Sequence, residues 1–351
     1  MQDITIYDIA RMAGVSPSTV SRVINNKPNI SKATREKIEK ILKENHYVPN
    51  EQARGLVNQS THIIGILIND IRKTHHTNGI YYMQREFDKS GYSCLIYNTG
   101  SDGKDISRCL QLLSQRKVEG VVMMGSVFQS KEVKQAVETY LPSTPVMLCN
   151  GYLDAPNIYG VLSDERQGTK DCVKLFHERG CQCPALLMNP PTPSGSMKVK
   201  GFLDGMKRYY PEIAEPIVRY DEGDAESLTA LIREVLTTHP EVDALLFAED
   251  AMAMVGLRVC GDLHKWVPQD IRVMGINNSN TCQFAIPTLS SLDNVLFDVS
   301  ITAARELLLL LDGAEVNKKV TLSTSIVERE STGLGVDIFP STGHVGTVLK
   351  R

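Results

Sequence analysis

Gly14, Ser16 and Pro17 fall within one short stretch that no single helix runs through. Glycine after Ala13 accepts the positive φ of a sharp helix exit. Ser16 suits an N-cap, and Pro17 suits a first helical position, where a missing N–H costs nothing. Upstream, Thr5 with Asp8 three residues later forms a capping-box pattern. The stretch from Ile4 to Asn26 therefore reads as two short helices joined by a tight turn. Ile9, Ala10, Val15, Val20, Val23 and Ile24 form the apolar set that clamps them together. The other face of the second helix offers Ser16, Ser18, Thr19, Ser21 and Arg22. Such a face suits the major groove of DNA better than a protein core. A plain helical hairpin in a larger bundle is the alternative, but turn glycine, cap and polar second helix coincide here.

Ser31 then caps a third helix, Lys32 to Asn45, with Ile38, Ile41 and Leu42 as its apolar stripe and Lys32, Arg35, Lys37, Lys40 and Lys43 among its polar positions. The charge divides in the same place. Residues 1–60 carry nine Lys/Arg and six Asp/Glu, and the remainder 29 and 35, so a head at +3 joins a body at −6. That division fits phosphate contact by the head alone. Pro49 ends the third helix. The segment Glu51–Asn58 is barely two turns long, and Gly55 weakens it by about 1 kcal/mol relative to alanine. One reading is a hinge that orders on DNA, with Leu56 as an apolar wedge for the minor groove and Arg54 beside it. The other is a plain linker whose leucine rests on the body.

From Thr61 continuous apolar strands alternate with helices. Expected strands are Ile63–Ile68, Ser93–Tyr97, Gly120–Met124, Pro145–Cys149, Pro184–Met188, Ile217–Tyr220, Ala244–Ala248 and Ile271–Gly275. Expected helices are Gly79–Lys89, Asp105–Arg116, Lys131–Tyr140, Arg166–Glu178, Met197–Tyr209, Ala225–Thr238, Ala251–Cys260 and Val299–Leu311. Such alternation means parallel sheets covered on both faces. Two α/β units in series predict two lobes with a ligand cleft beyond the carboxyl ends of the strands. Beyond Thr332 the tail is rich in Gly, Ser, Thr and Val, has no leucine heptads, and is expected to end loosely ordered.

Competing chemistries find little support. The eight cysteines are scattered, with Cys181-x-Cys183 the only close pair, and read as small buried apolar residues of a reducing cytosol. His75-His76 lacks partners at metal-site spacing, so no metal and no cofactor is expected. A contact to ligand from a loop, or solvent exposure, is the better reading of the two imidazoles. Asp221-Glu222-Gly223-Asp224 lacks the alternating ligands of a calcium loop. No Gly-x-Ser-x-Gly elbow or phosphate-binding Gly-x-x-x-x-Gly-Lys-Ser/Thr marks an enzyme, and Gly333-Leu334-Gly335 does not open a helix. A pure solute-binding protein is disfavoured by the attached head. No signal peptide and no membrane-spanning run is seen, so a cytoplasmic location is expected.

The motifs Thr5-Ile6-Tyr7-Asp8-Ile9-Ala10, Ala13-Gly14-Val15-Ser16-Pro17-Ser18-Thr19-Val20-Ser21-Arg22-Val23, Thr34-Arg35-Glu36-Lys37-Ile38 and Tyr47-Val48-Pro49-Asn50 with Ala53-Arg54-Gly55-Leu56 closely resemble the lactose-repressor (LacI/GalR) family of bacterial transcription regulators. Body motifs resemble it too: Gln115-Arg116-Lys117-Val118-Glu119-Gly120-Val121, Ala248-Glu249-Asp250-Ala251, Val267-Pro268-Gln269-Asp270-Ile271 and Val327-Glu328-Arg329-Glu330-Ser331-Thr332. The resemblance covers roughly residues 3–333.

It implies an all-α helix-turn-helix head on a two-lobed α/β core of the type I periplasmic-binding-protein kind. It further implies a homodimer, a near-palindromic double-stranded operator and a small effector, a sugar by family default. Expected bounds are 1–50 for the head, 51–60 for the hinge, 61–160 plus 292–330 for the N-lobe, 161–291 for the C-lobe and 331–351 for the tail. Matched positions imply that Ser16, Pro17, Ser18 and Arg22 approach base edges. Tyr7, Ser21 and Asn25 would touch phosphate, with Arg54 and Leu56 in the minor groove.

At the cleft the chain departs from its family, which implies an effector set of Asp70, His75, His76, Asn150, Lys198, Glu249, Asp250 and Asn277. Lys198 stands where many members have arginine. Asn150 replaces a common aspartate, and Gly275-Ile276-Asn277-Asn278 replaces a frequent Gly-Phe-Asp-Asp. Lys73-Thr74-His75-His76 stands in place of Asn-Pro-Phe-Phe, and Ala225 replaces an aromatic that stacks on a sugar face. Several charge-assisted bonds to hydroxyls weaken as a result.

Overall fold

A computed structural model describes residues 4–24, 26–47, 60–221 and 223–333. The chain divides into two units, Met1–His62 and Ile63–Arg351.

The first unit holds α1 (Ile6–Ala13), α2 (Pro17–Ile24) and α3 (Lys32–Glu44). Its termini form as their chemistry dictates. The Thr5 N–H donates to Asp8 Oδ2 at 3.0 Å while the Asp8 N–H donates to Thr5 Oγ1, closing the capping box. Gly14 sits at φ 68° and ends α1. Ser16 Oγ accepts the Thr19 N–H at 3.2 Å, and Ser31 Oγ accepts that of Thr34 at the same distance. Ile9, Ala10, Ala13, Val20, Val23 and Ile38 are buried between the three helices. So small a core buries little apolar area, and polar ties add to it. Arg35 donates to the carbonyls of Val23 and Lys27 and to Asn26 Oδ1, pinning the turn after α2 onto α3.

The second unit contains two six-stranded sheets. The first runs in the order β11-β5-β4-β3-β1-β2, with β1 (Ile63–Ile68), β2 (Ser93–Asn98), β3 (Gly120–Met124), β4 (Val146–Cys149), β5 (Ile158–Ser163) and β11 (Lys319–Leu322), all parallel. The second runs β12-β10-β9-β8-β6-β7, with β6 (Pro184–Met188), β7 (Ile217–Tyr220), β8 (Ala244–Phe247), β9 (Arg272–Ile276), β10 (Ser290–Asp293) and β12 (Ser325–Val327). Only β12 is antiparallel to its neighbour among these pairs. The helices are α4 (Thr74–Lys89), α5 (Gly103–Gln115), α6 (Lys131–Tyr140), α7 (Glu165–Glu178), α8 (Pro193–Tyr209), α9 (Ala225–Thr238), α10 (Asp250–Asp262) and α11 (Leu296–Leu311). Strands β1, β3, β4, β6 and β8 are almost wholly buried, as strands covered on both faces must be.

Two close approaches depend on glycine. A Cβ on Gly201 would lie 2.1 Å from the Arg166 carbonyl oxygen, so α7 and α8 press backbone to backbone. A Cβ on Gly79 would lie 2.5 Å from Met124 Cε, so α4 sits tight on the first sheet.

Three expectations need correction. Helix α4 begins at Thr74 rather than Gly79, which puts His75 and His76 in its first turn instead of a loop; its N-cap, Lys73, makes no side-chain cap bond and so leaves no start signal. Strand 158–163 is an apolar run absent from the expected strands, whereas those at 290–293, 319–322 and 325–327 carry no continuous apolar run, and pairing at the sheets supplies what pattern does not. The chain therefore crosses between lobes three times. It leaves the first sheet after β5, returns after β10 to place α11 and β11, and goes back to the second sheet at β12. Residues 325–332 thus belong with the second lobe, not with an N-lobe of 292–330. Ser331 and Thr332, expected at the start of a tail, are fully buried there: Ser331 Oγ donates to the Val273 carbonyl at 2.6 Å and accepts the Ser290 N–H at 2.8 Å.

Candidate functional site

The head presents the polar face of α2. Arg22, Ser16 and Ser18 are exposed, Pro17 and Ser21 half-buried, and Tyr7 is 68 % exposed on α1. Ser16 Oγ lies 2.7 Å from Ser18 Oγ and 2.9 Å from Thr19 Oγ1, so this hydroxyl serves the cap as well as the surface. Arg22 is therefore the group with the reach and bidentate geometry for a guanine edge. Asn25, Arg54 and Leu56, and the hinge segment as a whole, lie outside the described residues.

In the core, the loops beyond the carboxyl ends of both sheets converge. From the first sheet come Asn69 and Asp70 after β1, His75 and His76 on α4, Ser126 after β3 and Asn150 after β4. The second lobe supplies Glu165 on α7, Asn189 after β6, Ser194 and Lys198 on α8, Glu249 and Asp250 after β8, and Asn277 after β9. Asn294 lies on the crossover after β10. Three contacts bridge the lobes. The Ser194 N–H donates to Ser126 Oγ at 3.1 Å, Lys73 Nζ stands 3.9 Å from Glu249 Oε1, and Asn294 Nδ2 lies 3.3 Å from His75 Nε2. Asn294 Nδ2 also donates to Asn277 Oδ1 at 2.9 Å. An amide that donates to both requires Nε2 of His75 to be unprotonated.

Burial supports that state. Enclosure first, then the positive charge of His76, Lys198 and Lys73, pulls the His75 imidazole down to about 3. Enclosure and Lys73 pull His76 down to about 4 against the opposing effect of Asp70. The His76 ring lies over Gly125, whose built Cβ would be 3.2 Å from Nε2. Three buried polar atoms at these strand ends have no protein partner: Asn69 Oδ1, His76 Nδ1 and Asn294 Oδ1. Buried groups of this kind are ordinarily satisfied, so these three stand out among the polar groups at the strand ends.

The cleft's charges are matched within the protein. Lys198, 7 % exposed, stands 3.5 Å from Glu165 Oε1 and donates to the Ala248 carbonyl at 3.1 Å; Ser194 Oγ donates a short bond to the same carboxylate. Asn189 Nδ2 donates to Glu249 Oε1 at 2.7 Å. Asp70 accepts from Arg72 Nε at 2.9 Å and Nη2 at 2.8 Å, and these bonds hold its carboxyl well below the usual carboxylate range.

Several expected ligand groups are engaged in bracing instead. Asp250 accepts the Ser279 N–H at 2.7 Å and the Ser291 hydroxyl at 2.6 Å, and burial pushes its carboxyl up. Asn150 Oδ1 accepts from the Ser163 N–H and hydroxyl at 3.3 and 3.2 Å, tying β4 to β5. Asn278 is held by Ser291, Asp293 and Arg329, and Ala225 opens α9 at the exposed end of a turn. Asp221 accepts from Gly223 and Ser227 while Asp224 caps α9, so both serve that turn. The sequence reading missed Asn69, Ser126, Glu165, Asn189, Ser194 and Asn294. Position after an apolar strand was the available signal for Asn69, Ser126 and Asn189; the others meet the cleft only through tertiary packing.

The arrangement binds rather than reacts. The imidazoles are neutral and enclosed, and burial pushes the Cys149 thiol up to about 12, far from a thiolate. No group of three or more potential metal ligands occurs among the described residues. No helix among them is long and apolar enough to cross a membrane.

Comparison with known proteins agrees with this division of labour. Residues 5–50 match the family model "Bacterial regulatory proteins, lacI family", and residues 173–332 match "Periplasmic binding protein-like domain". The chain is 31 % identical over 329 residues to an HTH-type transcriptional regulator of Lachnoclostridium phytofermentans, covering 93 % of this chain and 99 % of that one. It is 27 % identical over 333 residues to the ribose operon repressor of Halalkalibacterium halodurans, covering 93 % and 97 %. Its fold is similar to that of the lac repressor dimer bound to operator and the anti-inducer ONPF, with a TM-score of 0.86 at 26 % identity over 94 % of this chain and 99 % of that one. The chain belongs to the lacI family of bacterial regulatory proteins: it is a DNA-binding transcriptional regulator and not an enzyme.

Proposed function

We propose that the protein is a cytoplasmic homodimeric repressor. Its two heads hold a near-palindromic double-stranded operator, and a small effector between the core lobes, a sugar or sugar derivative, sets its operator affinity. The observation that carries this reading is the cluster of partnerless buried atoms, Asn69 Oδ1, His76 Nδ1 and Asn294 Oδ1, among contacts that bridge the two lobes. A ligand that satisfies those atoms favours one lobe arrangement over another. Differential affinity of that kind is what shifts a conformational equilibrium.

Dimerisation is supported by the likeness to a repressor solved as a dimer on operator. The relatives support the operator and effector parts, since one is a ribose operon repressor and one was solved as a dimer with operator and an anti-inducer. Leu56, outside the described residues, is the proposed minor-groove wedge.

Selection of binding sites from random duplex DNA by the full-length protein tests the reading, followed by anisotropy titrations with and without sugars. A palindromic consensus bound by two chains, with an affinity change of roughly 5–150-fold on adding an effector, is the expected result. Binding without sequence preference, binding as a monomer, or turnover of a bound sugar would overturn it.

A further inference from the structure

We propose that Arg35 is a positioning residue for operator recognition: its guanidinium fixes the end of α2, and with it the pose of Arg22, without itself reading DNA. The proposal rests on Arg22 meeting a base edge and names the group that holds it there.

Three observations converge. First, α2 ends in a turn that is bonded to Arg22 itself. The Lys27 N–H donates to the Arg22 carbonyl at 2.9 Å, and the Asn26 N–H donates to the Val23 carbonyl at 3.1 Å. That pair of bonds is the Schellman pattern, which places a left-handed residue just past the helix. Asn26 occupies that place at φ 51°. The same pattern ends α1, where the Val15 N–H donates to the Ala10 carbonyl at 3.1 Å and the left-handed residue is Gly14. Glycine takes this conformation at no steric cost, whereas asparagine leans on a side-chain hydrogen bond to hold it.

Second, Arg35 supplies that bond and more. Its Nη1 donates to Asn26 Oδ1 at 2.9 Å and lies 3.5 Å from the Val23 carbonyl oxygen, while Nη2 donates to the Lys27 carbonyl at 3.0 Å. One planar fork therefore grips the left-handed residue and the backbone on both sides of it. A lysine ammonium is a point charge on a flexible stem and lacks the fork that meets these acceptors together. A cation at the C-terminus of α2 also complements the helix dipole.

Third, the fork is carried by another helix. Arg35 lies near the start of α3, and Ile38, less than one turn further on, is fully buried in the core of the head. The apolar contacts between α2 and α3 are non-directional and leave α2 able to rotate or slide. Hydrogen bonds from α3 to the end of α2 fix its rotation and reach. Arg22 stands one residue before Val23, so a small shift of this turn spoils a bidentate pair with a base edge. With both terminal nitrogens of Arg35 committed to the turn, its part in recognition runs through Arg22.

The test is fluorescence anisotropy of the full-length protein on the duplex selected from random DNA and on a scrambled duplex of the same composition. Arg35→Lys keeps the charge and removes the fork. The expected result is about tenfold weaker binding to the selected duplex, with less than about threefold change on the scrambled one. In an Arg22→Ala background the same substitution should cost less than about threefold, because the contact it positions is already gone. Adding Asn26→Gly to Arg35→Lys should recover part of the loss, since glycine holds the left-handed turn unaided.

Wild-type affinity in Arg35→Lys overturns the proposal, because charge alone then suffices. Additive losses from Arg22→Ala and Arg35→Lys overturn it, as does a failure of Asn26→Gly to recover any binding. Equal weakening on both duplexes also overturns it, because Arg35 then supports the fold of the head and not the pose of one side chain. Wild-type affinity in Arg22→Ala alone removes the premise and the proposal with it, and that failure is told apart because nothing at Arg35 has changed.

Discussion

The side-chain amide of Asn294 lies 3.3 Å from Nε2 of His75, joining the crossover after β10 to the first turn of α4. The same nitrogen donates to Asn277, so residues far apart in the chain form one hydrogen-bonded line across the lobes. Asn294→Ala leaves an imidazole nitrogen and an amide oxygen unpaired. A loss of about 1–3 kcal/mol in urea unfolding of the core is expected. An unchanged midpoint would mean these bonds contribute nothing to the stability of the core.

His75 and His76 make stability depend on pH. Their folded values of about 3 and 4 lie below the ordinary histidine value, so the unfolded chain binds more protons between those values and about pH 6.5. Stability is complete above about pH 6.5 and falls as pH drops toward 4, by up to about 1.4 kcal/mol per pH unit for each ring. Denaturation curves at pH 7.5, 6.0 and 5.0 measure the slope, and His75→Asn with His76→Asn should flatten it.

Lys198 and Glu165 form a buried pair. Lys198→Met alone should destabilise the core by about 3–5 kcal/mol, because a carboxylate is left without its partner. Adding Glu165→Gln should restore most of that loss. A double-mutant cycle that is additive to within about 0.5 kcal/mol would show the two side chains to be uncoupled.

Arg22 stands exposed on α2. Arg22→Ala should weaken binding to the selected operator by about 1–3 kcal/mol and relax the sequence preference at one position of each half-site. Anisotropy against operator and scrambled duplexes separates the two effects. Wild-type affinity and selectivity in the variant would remove Arg22 from base readout.

The head was legible in the chain because its signals are local. A capping box at Thr5, a left-handed glycine at position 14 and a cap at Ser16 act within a few residues of where they occur, and the apolar set that fills the small core is the one the helical period marks. The alternation of buried strands and helices announced two α/β lobes for the same reason. What the tertiary structure alone decided is where the chain crosses between lobes and what each polar group does there. Strands β10, β11 and β12 lack apolar runs and exist because neighbouring strands are there to pair with them. Asp250 and Asn150 match the family's ligand positions in sequence but spend their oxygens on neighbouring strands and the turn at Ser279, while Asn294 and Glu165, which no local pattern marks, stand at the strand ends. A hydrogen bond between residues two hundred positions apart depends on the packing of both lobes, and a site assembled from such bonds becomes visible only once the lobes have met.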